Sequence, residues 1–149
     1  MRKVVKFGGS SLASAEQFKK VGDIIRADKG RKYVVPSAPG KRFDGDIKVT
    51  DMLYACYAKA EKKEDITASI AAIRERYMEI INGLGLSLSL DDQFEVISEN
   101  FKKLAGSNYA ASRGEYLNGI IMANYLGYEF IDAATVICFD KNGEFESEK

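Results

Sequence analysis

Residues 3–12 read Lys3-Val4-Val5-Lys6-Phe7-Gly8-Gly9-Ser10-Ser11-Leu12, and the fold follows from what surrounds them. The β-branched and aromatic residues make a short strand that the paired glycines end. Ser14 and Gln17 stand at capping-box spacing, so a helix opens there, with Phe18, Val21, Ile24 and Ile25 predicted on its buried face. That helix runs out near Lys29-Gly30. Tyr33 to Val35 form a second strand, stopped by Pro36. Strand, glycine loop, helix and strand make a βαβ unit, whose two strands lie parallel.

Outward from this unit, Ser37 to Lys48 combine proline, two glycines and mixed charge, and read as a loop long enough to be functional. Thr50 is the expected N-cap of a helix reaching about Lys63. A second helix carries Ile66, Ile70, Ile73, Tyr77, Ile80 and Ile81 at helical spacing and ends at Gly83 or Gly85. A third spans about Asp91 to Leu104, with Phe94, Ile97, Phe101 and Leu104 inward. A fourth covers about Glu115 to Leu126. Strands are expected at Glu129 to Asp132 and Thr135 to Phe139, and Lys141-Asn142-Gly143 reads as a turn. The charged end Glu144-Phe145-Glu146-Ser147-Glu148-Lys149 reads as cut rather than finished.

Composition narrows the function. The 149 residues suffice for one domain with a real core. Lysine plus arginine and aspartate plus glutamate both number 22, a balance that argues against nucleic-acid or membrane-surface binding. No apolar run approaches the ~20 residues of a membrane span. Met1-Arg2-Lys3 leads into no apolar segment, so the reading is a cytoplasmic start. Cys56 and Cys138 lack metal-type spacing and are expected to be buried, reduced thiols. There is no histidine, which removes His-based triads and most catalytic zinc sites.

Lys6-Phe7-Gly8-Gly9-Ser10-Ser11-Leu12 is the sharpest chemical signal. Glycines after a strand let backbone N–H groups approach a phosphate, and the following helix adds its positive end. A lysine there can bridge phosphate oxygens, while Ser10 and Ser11 add hydroxyls. The lysine precedes the glycines, so this is neither a Walker A loop nor a dinucleotide fingerprint. On spacing alone, Gly8-Gly9 is a phosphate loop or a simple turn, and Lys6 a catalytic or a solvated strand-end lysine. Thr50 and Glu115 equally suit a helix cap and a first-turn carboxylate, and Arg113 a surface ion pair.

The same residues resemble the N-terminal signature of aspartate kinases. Further segments follow in that family's order: Val34-Val35-Pro36-Ser37-Ala38, Thr50-Asp51-Met52-Leu53, Ser112-Arg113-Gly114-Glu115 and Asp132-Ala133. Pro36 departs from the family's all-apolar strand. The likeness covers about Lys3 to Asp140. It implies an α/β fold, a three-layer α/β/α sandwich of the amino-acid kinase (carbamate kinase-like) type with a mainly parallel sheet, here incomplete. The helices between Thr50 and Leu104 would cap the sheet on the substrate side.

The resemblance also implies an activity: transfer of the γ-phosphoryl of Mg²⁺-bound ATP to the β-carboxylate of aspartate, the first step toward lysine, threonine and methionine. Lys6 would stabilise the phosphoryl in flight, and Gly8, Gly9 and Ser10 would hold phosphates. Ser37 and Thr50 would contact the substrate amino acid, and Glu115 its α-ammonium group. The family's later arginine segment, its adenine-holding segments and its ACT regulatory domains fall outside residues 1–149. The expectation is therefore the N-terminal portion of one catalytic domain, with little activity alone and a homo-oligomeric full-length form. The alternatives are a related kinase acting on glutamate, acetylglutamate or a nucleotide monophosphate, or a non-catalytic binding domain on the same scaffold.

Overall fold

A computed structural model describes residues 3–132 and 136–139. Strand β1 (Lys3–Phe7) leads through a single 3-10 turn (Gly9–Leu12) into α1 (Ala15–Arg26) and back to β2 (Arg31–Pro36). Four helices follow: α2 (Val49–Glu61), α3 (Thr67–Gly83), α4 (Asp91–Lys102) and α5 (Ser107–Leu126). Strands β3 (Glu129–Asp132) and β4 (Val136–Phe139) complete the order. The expected turn at Lys141-Asn142-Gly143, residues Ala133 and Thr135, and the Cys138 side chain lie outside the described residues.

The βαβ reading holds. β1 and β2 pair in parallel, with Val5 opposite Val34 and Phe7 opposite Pro36. The sheet order is β1-β2-β4-β3, and β4 runs antiparallel to both neighbours, so three of the four strands point one way. Pro36 belongs to β2 rather than stopping it. β4 pairs only with Tyr33 and Val34, so on that flank the absent proline N–H costs no ladder bond. On the other flank the Ser37 N–H donates to the Phe7 carbonyl at 3.1 Å and carries the pairing one residue further.

Helix α5 lies against β2, β3 and β4, while α2, α3 and α4 build a helical block against α5 and one another. Leu12, Phe18, Val34, Leu53, Tyr77 and Leu117 share one continuous core across these elements. α1 opens as expected, with the Ser14 hydroxyl accepting from the Gln17 N–H. Its buried face is Phe18, Val21, Gly22 and Ile25, whereas Ile24 points outward, 48% exposed, because Val21 and Ile25 already fill the stripe.

Three further expectations are corrected. Thr50 is not the cap of α2: Lys48 holds that position, because buried Val49 draws the helix start back by a turn's edge and Thr50 falls inside it. Leu104 lies beyond α4 at φ 60° and is exposed, so it does not join the inner face of Phe94, Ile97 and Phe101. Helix α5 begins at Ser107, eight residues before Glu115, because Ala110, Gly114, Leu117 and Ile121 form a buried stripe at helical spacing. Glu115 is therefore a mid-helix residue and gains nothing from the helix N-terminus.

A cavity between the glycine turn and helix α5

Two loops meet at the C-terminal ends of β1 and β2. The Gly40 N–H donates to the Gly9 carbonyl at 2.9 Å, and a Cβ built on Gly9 would lie 2.9 Å from the Ala38 oxygen. Glycine at 9 is thus a packing requirement. Gly8 differs: a Cβ there meets nothing within 4 Å, so its lack of a side chain leaves open space.

Helix α5 closes the other side. Gly114 sits where a Cβ would come 2.6 Å from Ala38, so a mid-helix glycine lets α5 approach the loop after β2. One turn on, fully buried Asn118 donates from Nδ2 to the Ser37 carbonyl at 2.8 Å. From α3, the buried Tyr77 hydroxyl donates to the Gly114 carbonyl at 2.8 Å. Burial pushes that hydroxyl far above the usual tyrosine range, so it stays a donor.

Between these walls lies a cavity of about 530 Å³. Gly9, Ser10, Ser37, Thr50 and Glu115 all line it, although they come from four separate elements or loops. Lys6 and Gly8 are not part of the lining: Lys6 is exposed at the end of β1, and Gly8 caps the 3-10 turn. Lys41 and Lys48, which sequence reasoning passed over as part of a mixed-charge loop, stand on the cavity wall. Hydroxyl donors, two ammonium groups and one carboxylate suit a small molecule with several anionic oxygens and one cationic nitrogen. Among the described residues no three His, Cys, Asp or Glu side chains gather as a metal site.

The loop after β2 is braced from behind. Arg76 of α3, 5% exposed, donates from NH2 to the Gly40 carbonyl and from NH1 to the Ile47 carbonyl, both at 2.7 Å. Nearer the tip, Arg42 binds Asp46 through Nε at 2.7 Å and Glu79 through NH1 at 2.8 Å. The Arg42 side chain, then the Arg42 N–H, hold the Asp46 carboxyl well below the usual carboxylate range. Val49 adds a main-chain bond to Pro39 at 3.1 Å. Among the described residues Arg113 makes no ion pair: its guanidinium lies 4.7 Å from the Tyr109 ring centre and 4.4 Å from that of Tyr116, a stacked arrangement in place of the expected surface pair. Cys56 is buried and reduced, as expected, and its burial pushes the thiol up to about 11.

Comparison with known proteins places this geometry. The model of the amino acid kinase family matches residues 1–148. The chain is 39% identical over 142 residues to aspartokinase 3 of Bacillus subtilis, covering 90% of this chain and 31% of that protein. It is 29% identical over 127 residues to an aspartokinase of Chlamydia trachomatis, covering 82% of this chain and 27% of that one. Among solved structures, aspartate kinase of Clostridium acetobutylicum superposes with a TM-score of 0.84 at 50% identity, over 87% of this chain and 30% of its own. Aspartokinase III of E. coli, solved with aspartate and ADP, shares the fold with a TM-score of 0.60 at 24% identity, over 85% of this chain and 29% of its own. The chain thus spans about a third of the length of these relatives.

Proposed function

This chain belongs to the amino acid kinase family, and from that premise we propose that it forms the phosphate- and aspartate-binding part of an aspartate kinase. Such an enzyme passes the γ-phosphoryl of Mg²⁺-bound ATP to the β-carboxylate of aspartate, giving aspartyl phosphate and ADP. The observation that carries the reading is the meeting of Ser10, Ser37, Thr50 and Glu115 on one cavity beside the glycine turn.

The chemistry asks little covalent help of the protein. The attacking carboxylate is already ionised at neutral pH, so no general base is needed, and a chain without histidine loses nothing. Positioning and charge neutralisation do the rest. In this reading the backbone at Gly8 and Gly9 and the Ser10 hydroxyl hold phosphate oxygens. Lys6 follows the phosphoryl group as its charge spreads in the transition state. Ser37 and Thr50 donate to the amino acid, and Glu115 pairs with its α-ammonium. The full reading includes a cytoplasmic, homo-oligomeric enzyme feeding lysine, threonine and methionine synthesis, and little phosphoryl transfer by this chain alone.

A coupled assay with ATP, Mg²⁺ and aspartate tests it, run on this chain and on a chain of its relatives' length. Activity in the long form that disappears with Lys6→Ala supports the reading. A folded long form that ignores aspartate but turns over glutamate, acetylglutamate or a nucleotide monophosphate moves the assignment within the family, and silence toward all of them favours a binding role.

A further inference from the structure

A buried arginine is costly to keep, since its guanidinium leaves water and an apolar residue of similar volume would pack there more cheaply. Arg76 is nine-tenths buried on α3, and its shortest bonds go to main-chain carbonyls of the loop after β2 rather than to a carboxylate. Asp46 Oδ2 lies 3.8 Å from NH1, while Nε has no hydrogen-bond partner among the described residues.

The two carbonyls are the neck of that loop. Gly40 stands at its entrance and Ile47 at its exit, while residues 41–45 between them are exposed. Each neck residue leads straight to the cavity. The Gly40 N–H is bonded to Gly9, so Arg76, Gly40 and the glycine turn form one continuous line of contacts. Ile47 is followed by Lys48, which lines the cavity and caps α2 just before Thr50. A second cavity, of about 290 Å³, is lined by Arg42, Asp46, Ile47, Arg76 and Glu79 among others. Residues of the loop and its neck thus line both cavities, and Arg76 stands at the second of them.

From this we infer that Arg76 is a positioning residue for the acceptor substrate: its guanidinium fork sets the neck of the 40–47 loop and thereby the places of Gly9, Lys48 and Thr50. The inference rests on the aspartate-site reading given above.

Arg76→Gln and Arg76→Lys test it, with Arg42→Ala as a control that removes the tip's ion pairs and leaves the neck alone. Hydrogen exchange is followed by residue, and aspartate binding by calorimetry. Arg76→Gln is expected to speed exchange of the amides in 40–49 by about tenfold or more while α4 amides keep their protection. Aspartate affinity falls by about tenfold or more in Arg76→Gln. Arg76→Lys, which keeps the charge but lacks the planar fork, falls in between, and Arg42→Ala binds aspartate as the parent does. Loop exchange that does not change, or that rises no more than exchange in α4, overturns the inference. So does loosening of the loop with aspartate affinity intact. If Arg76→Gln fails to fold, the same readings on Arg76→Lys decide. If the unmutated chain binds no aspartate, the calorimetry is repeated on a chain of its relatives' length; failure to bind there sinks the substrate reading, and the exchange data then decide whether Arg76 holds the loop.

Discussion

Gly9 and Gly40 touch main chain to main chain: a Cβ on Gly40 would fall 2.8 Å from the Gly9 carbonyl carbon and 2.9 Å from the Ser10 nitrogen. Neither contact can yield, because both atoms are backbone. Gly40→Ala should therefore pry the two loops apart and cost about 1–3 kcal/mol, read from urea unfolding midpoints. Gly8→Ala is the contrast. It meets nothing within 4 Å and should unfold like the parent, but its methyl fills the space assigned to phosphate, so nucleotide binding should drop. Equal nucleotide affinity in Gly8→Ala and parent would remove Gly8 from the phosphate site.

Asn118 ties the loop after β2 to α5. Asn118→Ala strands the Ser37 carbonyl inside the protein, and the expected loss is about 1–3 kcal/mol of stability. Asn118→Asp replaces the donor by a buried carboxylate and should be worse. Thermal unfolding of the three proteins gives the order, and a harmless Asn118→Asp would contradict the bond as described.

Tyr77→Phe removes one oxygen from the middle of the core. The Gly114 carbonyl then has no tyrosine donor, and the cost should be about 1–3 kcal/mol with the ring packing kept. A change below a few tenths of a kcal/mol would mean that water or a shifted helix takes the bond over.

The Arg42–Asp46 pair predicts acid sensitivity. Asp46 is held ionised at a lower pKa in the fold than in the unfolded chain, chiefly by the Arg42 side chain. Its contribution is therefore complete above the unfolded carboxylate value of about 4 and drains away as pH falls below that toward the depressed folded value. Parent and Asp46→Asn should differ in unfolding midpoint at pH 6, and the gap should narrow steadily below about pH 4. A gap that stays constant down to strong acid would show that the pair is not the source.

Cys56 should be nearly inert. It is 1% exposed, and burial lifts its thiol to about 11, so almost no thiolate forms near neutrality. Its stabilising share is whole below the unfolded thiol value of about 8.5 and is lost as pH rises through about 11. In a Cys138→Ser background, alkylation at pH 8 should be slower in the native protein than in urea by about two orders of magnitude. Equal rates would place Cys56 at the surface.

Much of this was legible in the sequence, for local reasons. β1, the glycine turn, α1 and β2 announce themselves through short-range periodicity and turn residues, and α3 through a stripe of isoleucines and Tyr77 at helical spacing. The start of α5 did not. The sequence points to a helix only from about Glu115, and what extends it back to Ser107 is the buried face running through Ala110 and Gly114. Propensity loses there to packing that no window of sequence contains. The site divides the same way. Ser10, Ser37, Thr50 and Glu115 stand in recognisable motifs. Arg76 and Asn118 do not, because their partners lie 36 and 81 residues away.

That last separation has a consequence for how the molecule comes into being. Closing a contact across 81 residues is entropically expensive and cannot be anticipated by local structure. The Ser37 wall stays unsecured until α5 has formed and docked. A chain growing from its N-terminus therefore displays the glycine turn early and the finished cavity late, only once Asn118 has been made and folded home.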